Sequence, residues 1–123
     1  MIGNKRGNDG ENIACRFIEK KGYTVIERNY RSQYGEVDII ARYGDFIVFA
    51  EVKLRKKNSR VSGKEAVSAS KQRKIISTSA LYLQDNPTLL QPRFDVICVT
   101  DCENGEYITE HIENAFDTQS MFL

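Results

Sequence analysis

Hydrophobic residues along the chain alternate between helical and extended spacing, and the first pattern is helical. Ile13, Ala14, Phe17 and Ile18 recur at three- and four-residue intervals, which puts them on one side of a helix. Asn8, with Glu11 three residues on, reads as a capping box at its start, and Gly22 as its C-terminal stop. Tyr23 to Arg31 reads as a strand, strongest at Thr24-Val25-Ile26. Glu36 to Tyr43 alternates as a second strand, with Val37, Ile39 and Ala41 on one face. Gly44-Asp45 is a two-residue hairpin signal leading into a third strand, Phe46 to Leu54, whose start is apolar on both faces and therefore central. Ser62 and Glu65 suggest a second capping box. The helix after it would bury Ala66, Ala69, Ile76, Ala80 and Leu83, with Arg73 on the same track, and fray before Pro87. Phe94 to Val99 and Tyr107 to Ile112 read as strands joined by a tight turn at Asn104-Gly105. The order helix, three strands, helix, two strands predicts one α/β domain over residues 1–123, with 1–7 and 117–123 as loose ends.

Composition leaves that picture unchanged and narrows the class. Charged residues make up 28% and hydrophobic residues 41%, as in an ordinary globular protein. No basic start followed by an apolar segment marks a secretory signal, and the longest apolar run, Phe46 to Ala50, is far too short to span a bilayer. Cys15, Cys98 and Cys102 are an odd, sparse set without C-x-x-C spacing, which fits a reducing cytoplasm better than a disulfide framework. The net charge is only +1, but its distribution is uneven. Nine of the eighteen basic residues lie between Lys53 and Lys74, against the single acid Glu65. From Asp101 to Asp117 there are six acids and no Lys or Arg. The basic block is either a solvated loop or a local positive field for a polyanion, with Lys71 and Lys74, one turn apart, as its candidate phosphate contacts.

Candidate chemistry emerges when the hairpin at Gly44-Asp45 is folded. With a two-residue loop, Tyr43 faces Phe46, Asp38 faces Glu51, and Glu36 faces Lys53. Residues two apart share a face, so Glu36, Asp38, Glu51 and Lys53 are expected to converge. Directly opposed side chains have Cβ atoms roughly 4.5–5.5 Å apart, so two carboxylates there repel unless something compensates. A divalent cation would do so, with Asp38 and Glu51 as oxygen ligands and Lys53 holding water or neutralising charge on phosphate. The plainer alternative is a solvent-facing salt bridge between Glu36 and Lys53. Ile40, Ile47 and Phe49 lie further along the same face, however, and a covered face should not carry opposed carboxylates without a reason.

Asp38 followed by Glu51-Val52-Lys53 resembles the PD-(D/E)xK nuclease superfamily, with its restriction-endonuclease-like fold. The resemblance implies that Asp38 and Glu51 bind Mg²⁺ or Mn²⁺ and that Lys53 assists the attacking water. The leading Pro of that pattern is absent, since Val37 precedes Asp38. Glu11 matches the additional acid of archaeal Holliday junction resolvases of this fold, alongside its capping reading. Over nearly the whole chain the sequence is similar to the YraN family, an uncharacterised bacterial group in that superfamily. The matching segments are Gly7 to Glu11, Asn29-Tyr30-Arg31, Gly35 to Asp38, Phe49 to Lys53 with Arg55, Lys71-Gln72, Arg93-Phe94-Asp95 and Asn114-Ala115-Phe116. The implied architecture is a mixed five-stranded sheet flanked by helices. Among the matching residues, Arg31, Arg55 and Gln72 join Lys71 and Lys74 as nucleic-acid contacts.

Other chemistries fit less well. His111 is the single histidine and no G-x-S-x-G is present, so a Ser–His–Asp triad is not expected. Cys98, Cys102 and His111 lack the number and spacing of a structural zinc site. Gly63-Lys64 lacks the upstream Gly of a Walker A loop. Tyr30 and Tyr34 flank Arg31 and either stack on bases or pack within the sheet. The expectation is a Mg²⁺-dependent nuclease acting on DNA, branched or flapped forms among its substrates, with Asp38, Glu51, Lys53, Glu11 and Glu36 at the site. Its partner would be nucleic acid, not membrane, and a homodimer is left open. The alternatives are a non-catalytic nucleic-acid-binding module of the same fold and a protein-interaction scaffold using the acidic C-terminal surface.

Overall fold

The computed structural model describes residues 5–58 and 67–118. Its elements run α1 (Lys5–Lys20), β1 (Thr24–Ser32), β2 (Gly35–Tyr43), β3 (Phe46–Lys56), α2 (Ala69–Asp85), β4 (Gln91–Asp101) and β5 (Tyr107–Phe116). This is the α/β order expected. The strands form one mixed sheet in the order β1-β2-β3-β4-β5. β3 and β4 are parallel, because the chain returns through α2 between them, and the other pairs are antiparallel. Gly44 adopts φ +57°, as the first residue of a two-residue hairpin turn requires, and the β2–β3 register starts at Tyr43–Phe46 as the loop length dictates.

Each helix covers one face of the sheet. Ala14, Cys15 and Ile18 of α1 are buried with Ile39, Ala41, Val48, Ala50, Ile97 and Val99. On the opposite face, Ile75, Ile76 and Tyr82 of α2 pack with Ile40, Ile47, Phe49, Phe94, Val96 and Cys98. β3 is therefore apolar on both sides, and Phe49 is fully buried against Tyr82 and Phe94. Because α2 runs back from the end of β3 to the start of β4, its first turns lie near the carboxyl end of β3. Side chains at that end of the strand and on the first turns of the helix can therefore meet.

Several local expectations are revised. Asn8 lies within α1 rather than capping it, and Glu11 is ion-paired with Arg28 at 3.4 Å instead of closing a capping box. Gly22 does end α1: at φ +100° it lets its own N–H bond to Glu19 O and that of Tyr23 to Ile18 O. Ser62 and Glu65 lie outside the described residues, and α2 is capped by Ser68, whose side chain accepts from the Lys71 N–H. The buried stripe of α2 is Ile75, Ile76, Thr78, Ser79 and Tyr82, and Ala69 and Ala80 are exposed. The bulkier residues set the phase of the helix, because burying Ile75 and Tyr82 removes more apolar surface than burying alanines. The two C-terminal strands are longer than expected and are joined by residues 102–106, with both Glu103 and Gly105 at positive φ, rather than by a two-residue turn. The ends expected to be loose fall largely outside the described residues, and Lys5 already begins α1. Among the described residues no helix is long and apolar enough to cross a membrane.

Candidate functional site

The candidate site lies where the sheet forks. β2 pairs with β3 from Tyr43–Phe46 to Ile39–Ala50 and then the ladder stops. β2 stays with β1 as far as Gly35, while β3 stays with β4 as far as Lys56–Asp101. At the fork a side chain replaces the missing ladder bond: the Val52 N–H donates to Asp38 Oδ2 at 2.8 Å. The neighbouring strand is irregular at the same level. Asn29 sits at φ +53°, a left-handed conformation that Asn tolerates, and it lies between the Arg28–Ile39 and Tyr30–Val37 pairs. Strand alternation breaks there. Ile39 belongs to the α1-side core and Val37, two residues earlier, to the α2-side core.

Glu51 is the most constrained of the candidates. It is only 5% exposed, and its Oε1 is buried without a hydrogen-bond partner among the described residues. Oε2 lies 3.5 Å from Lys53 Nζ and 4.0 Å from Lys71 Nζ. Lys53 comes from the same strand face, and Lys71 from the first turn of α2. Burial, then the neighbouring Glu51 carboxylate, pushes the Asp38 pKa up to about 8 despite the opposing bond from Val52. Glu11, on α1, raises it further. At neutral pH Asp38 therefore retains a proton that an ordinary carboxylate would have lost.

The other sequence candidates are distributed around this pair. Glu36 is not held against Lys53, because the ladder has ended; its carboxylate bonds Arg31 Nε at 2.9 Å on β1. Arg55 pairs with Glu110 of β5 at 3.6 Å. Gln72 Nε2 donates to Val67 O at 3.0 Å, closing the entry to α2. Lys74 is exposed one turn beyond Lys71. Among the described residues no three His, Cys, Asp or Glu side chains converge in a metal-holding group, which includes Cys98, Cys102 and His111. The role of Lys71 beside Glu51 was missed in the sequence. Its signal was the β3–α2–β4 connection, which brings the start of α2 to the carboxyl end of β3.

A second polar cluster lies on the α1 side. Arg93 donates to both oxygens of fully buried Asp95, at 2.9 and 2.8 Å, and to Tyr23 Oη at 2.6 Å. His111 Nε2 lies 2.7 Å from Asp95 Oδ2, and the Asn114 N–H donates to Oδ1 at 3.0 Å. Burial opposes the charge on Asp95, but the bonds from His111, Arg93 and Asn114 outweigh it and hold its carboxyl below the usual range. Phe94 stacks on Phe116 at 5.4 Å. Arg93-Phe94-Asp95 and Asn114-Ala115-Phe116 are thus two halves of one structural clamp between β4 and β5.

Comparison with known proteins places the chain in a family. The profile of Uncharacterised protein family UPF0102 matches residues 10–99. A UPF0102 protein of Desulforapulum autotrophicum is 42% identical over 113 residues, covering 91% of this chain and 93% of its own. One from Rhodococcus jostii is 40% identical over 111 residues, covering 89% and 94%. One from Caldanaerobacter subterraneus is 42% identical over 115 residues, covering 89% and 93%. The chain therefore belongs to family UPF0102.

Proposed function

We propose that the protein is a nuclease that uses a divalent cation, Mg²⁺ or Mn²⁺, to hydrolyse phosphodiester bonds in DNA. The observation that carries this reading is the buried Oε1 of Glu51, without a hydrogen-bond partner among the described residues, beside the elevated Asp38 carboxyl. A buried carboxylate oxygen without a partner is costly, and a hard cation is the partner that fits two close carboxylates. Asp38 and Glu51 would hold it, and when bound it would supply Lewis acidity and charge neutralisation for the phosphate. Lys53 hydrogen-bonds the attacking water and faces the charge that develops on the phosphoryl oxygens. Lys71 adds a second positive charge from α2 at the same carboxylate. Glu11, held by Arg28, keeps further negative charge near Asp38 and so favours cation entry.

One observation favours a second reading, a non-catalytic nucleic-acid-binding module: among the described residues no third acid joins the pair. A cleavage screen separates the two. Duplex, single-stranded, flapped and four-way DNA are incubated with Mg²⁺, Mn²⁺ or EDTA, using wild type and Lys53→Ala. Metal-dependent cleavage lost in Lys53→Ala supports the nuclease. Metal-independent DNA binding without cleavage of any substrate supports the module.

A further inference from the structure

The turn between β1 and β2 and the outer side of α2 enclose a groove of about 340 Å³, lined by Gln33, Tyr34, Ser70, Arg73, Lys74 and Ser77. Its helical wall is a single stripe, since 70, 73, 74 and 77 follow the i, i+3, i+4, i+7 rule. It is basic and hydroxylated, and among the described residues no acid lines it. The turn is fastened to the helix. Ser32 Oγ lies 2.8 Å from Thr78 Oγ1 and accepts the Tyr34 N–H at 3.0 Å. At Gly35 a Cβ would come within 3.2 Å of Lys74 Cβ, so the glycine permits this close approach. The groove is therefore pre-shaped.

Tyr34 is its aromatic element. Tyr30, the other aromatic beside Arg31, packs edge-on against Tyr82 at 5.1 Å in the core. Tyr34 is 47% exposed, and its ring meets no other ring or cation among the described residues. The other groove of similar size, about 300 Å³, is lined by Asp9, Asn12, Ile13, Arg16 and Tyr107, and its acid makes it the poorer anion site. Lys71, which reaches Glu51, and Lys74, which lines the Tyr34 groove, are three residues apart, about 4.5 Å of helical rise. The groove thus lies about one helical turn from Lys71, the α2 residue that reaches Glu51.

We propose that this groove is a subsite for an unpaired nucleotide of a single-stranded DNA segment, its base on Tyr34 and its phosphates on Arg73 and Lys74. Duplex DNA hides its base faces within the stack, whereas a single strand can offer one to an aromatic ring. The subsite rests on the nuclease reading for its place next to the scissile phosphate, but not for its affinity.

The test measures anisotropy of a labelled oligothymidylate of about 15 nucleotides, and of a duplex of equal length, in Ca²⁺ to limit turnover. Tyr34→Ala should weaken single-strand binding roughly 5- to 150-fold, the range of one lost base–aromatic stack. It should change duplex binding by no more than about twofold, and Tyr34→Phe should retain single-strand binding, as stacking requires. Arg73→Gln with Lys74→Gln should flatten the single-strand salt dependence by about 1.4 log units, from two lost phosphate contacts. Absent single-strand binding, or a Tyr34→Ala loss that is nil or equal for both substrates, would overturn the subsite. Cleavage of the same DNA in Mg²⁺ is scored separately. Tyr34-dependent binding without cleavage of any of the DNA forms keeps the subsite and removes the nuclease, while cleavage together with Tyr34-independent binding does the reverse.

Discussion

Asp38→Asn should make the metal-free protein more stable at neutral and alkaline pH while removing its response to metal. In the folded protein the Asp38 pKa lies at about 8, against an ordinary value of 3.8. Between those values the native state keeps a proton that the unfolded chain has released. Stability is therefore fully present below about pH 4 and falls as pH rises towards the folded pKa. The limiting slope is about 1.4 kcal/mol per pH unit. Asp38 is only partly buried, and water access reduces the loss, to roughly 2–3 kcal/mol between pH 5 and pH 8. Asparagine keeps an oxygen for the Val52 N–H and offers Glu51 a donor, so it retains the native contacts without the titration. Urea unfolding of both proteins in EDTA at pH 5, 6, 7 and 8 measures the effect, and the difference between the two profiles cancels the titrating groups that Asp38 does not touch, leaving Asp38 and its neighbour Glu51. The gap should widen with pH. In wild type, Mg²⁺ must displace the same proton, so its stabilisation at fixed concentration should grow through this window and be largely absent from Asp38→Asn. Parallel profiles, or an undiminished Mg²⁺ response in the variant, would refute the assignment.

Four further outcomes follow from the same geometry. Lys53→Ala should abolish cleavage and leave DNA binding within a few-fold, because one charge at the reacting phosphate acts mainly in the transition state; single-turnover assays and anisotropy measure the two separately. Lys71→Ala with Lys74→Ala should flatten the log–log salt dependence of duplex binding by about 2 units, whereas substituting Glu110 and Glu113 should not; Lys71→Ala alone should also lower the single-turnover rate through its contact with Glu51. Glu36→Gln should change stability by less than about 1 kcal/mol in urea and leave the Mg²⁺ response intact, since its partner is the exposed Arg31. Arg93→Ala should cost about 3–5 kcal/mol in urea unfolding, because it leaves Asp95 charged and buried without the two bonds that Arg93 donates.

Much of the architecture was legible before folding, for reasons that are local. Periodicity identified both helices and all five strands, because one apolar face per element is written into consecutive residues. The Gly44-Asp45 turn set the β2–β3 register, since a two-residue loop leaves a single in-register pairing, and Tyr43–Phe46 and Ile40–Phe49 obey it. Asp38, Glu51 and Lys53 could be nominated from that register together with the family resemblance. Element ends were less legible: Asn8 and Ser62 are good caps by type, but only the packing of α1 and the Ser68 contact to Lys71 select where each helix begins.

The sequence by itself determined the order of elements, the central position of β3 and the pairing that brings Asp38 towards Glu51. Tertiary structure alone decided that the ladder stops at Ile39–Ala50, so that Glu36 turns to Arg31 and Asp38 takes the Val52 N–H. It decided that Lys71 reaches Glu51, that Tyr30 is core while Tyr34 is exposed, and that Asp95 and Asn114 form one clamp. These features depend on contacts between segments far apart in sequence, and on where a strand departs from regular alternation. Val37 and Ile39, two apart on β2, face opposite cores at the level of Asn29, whose φ is +53°, and which core each enters is settled only once β1, β2 and both helices are in place.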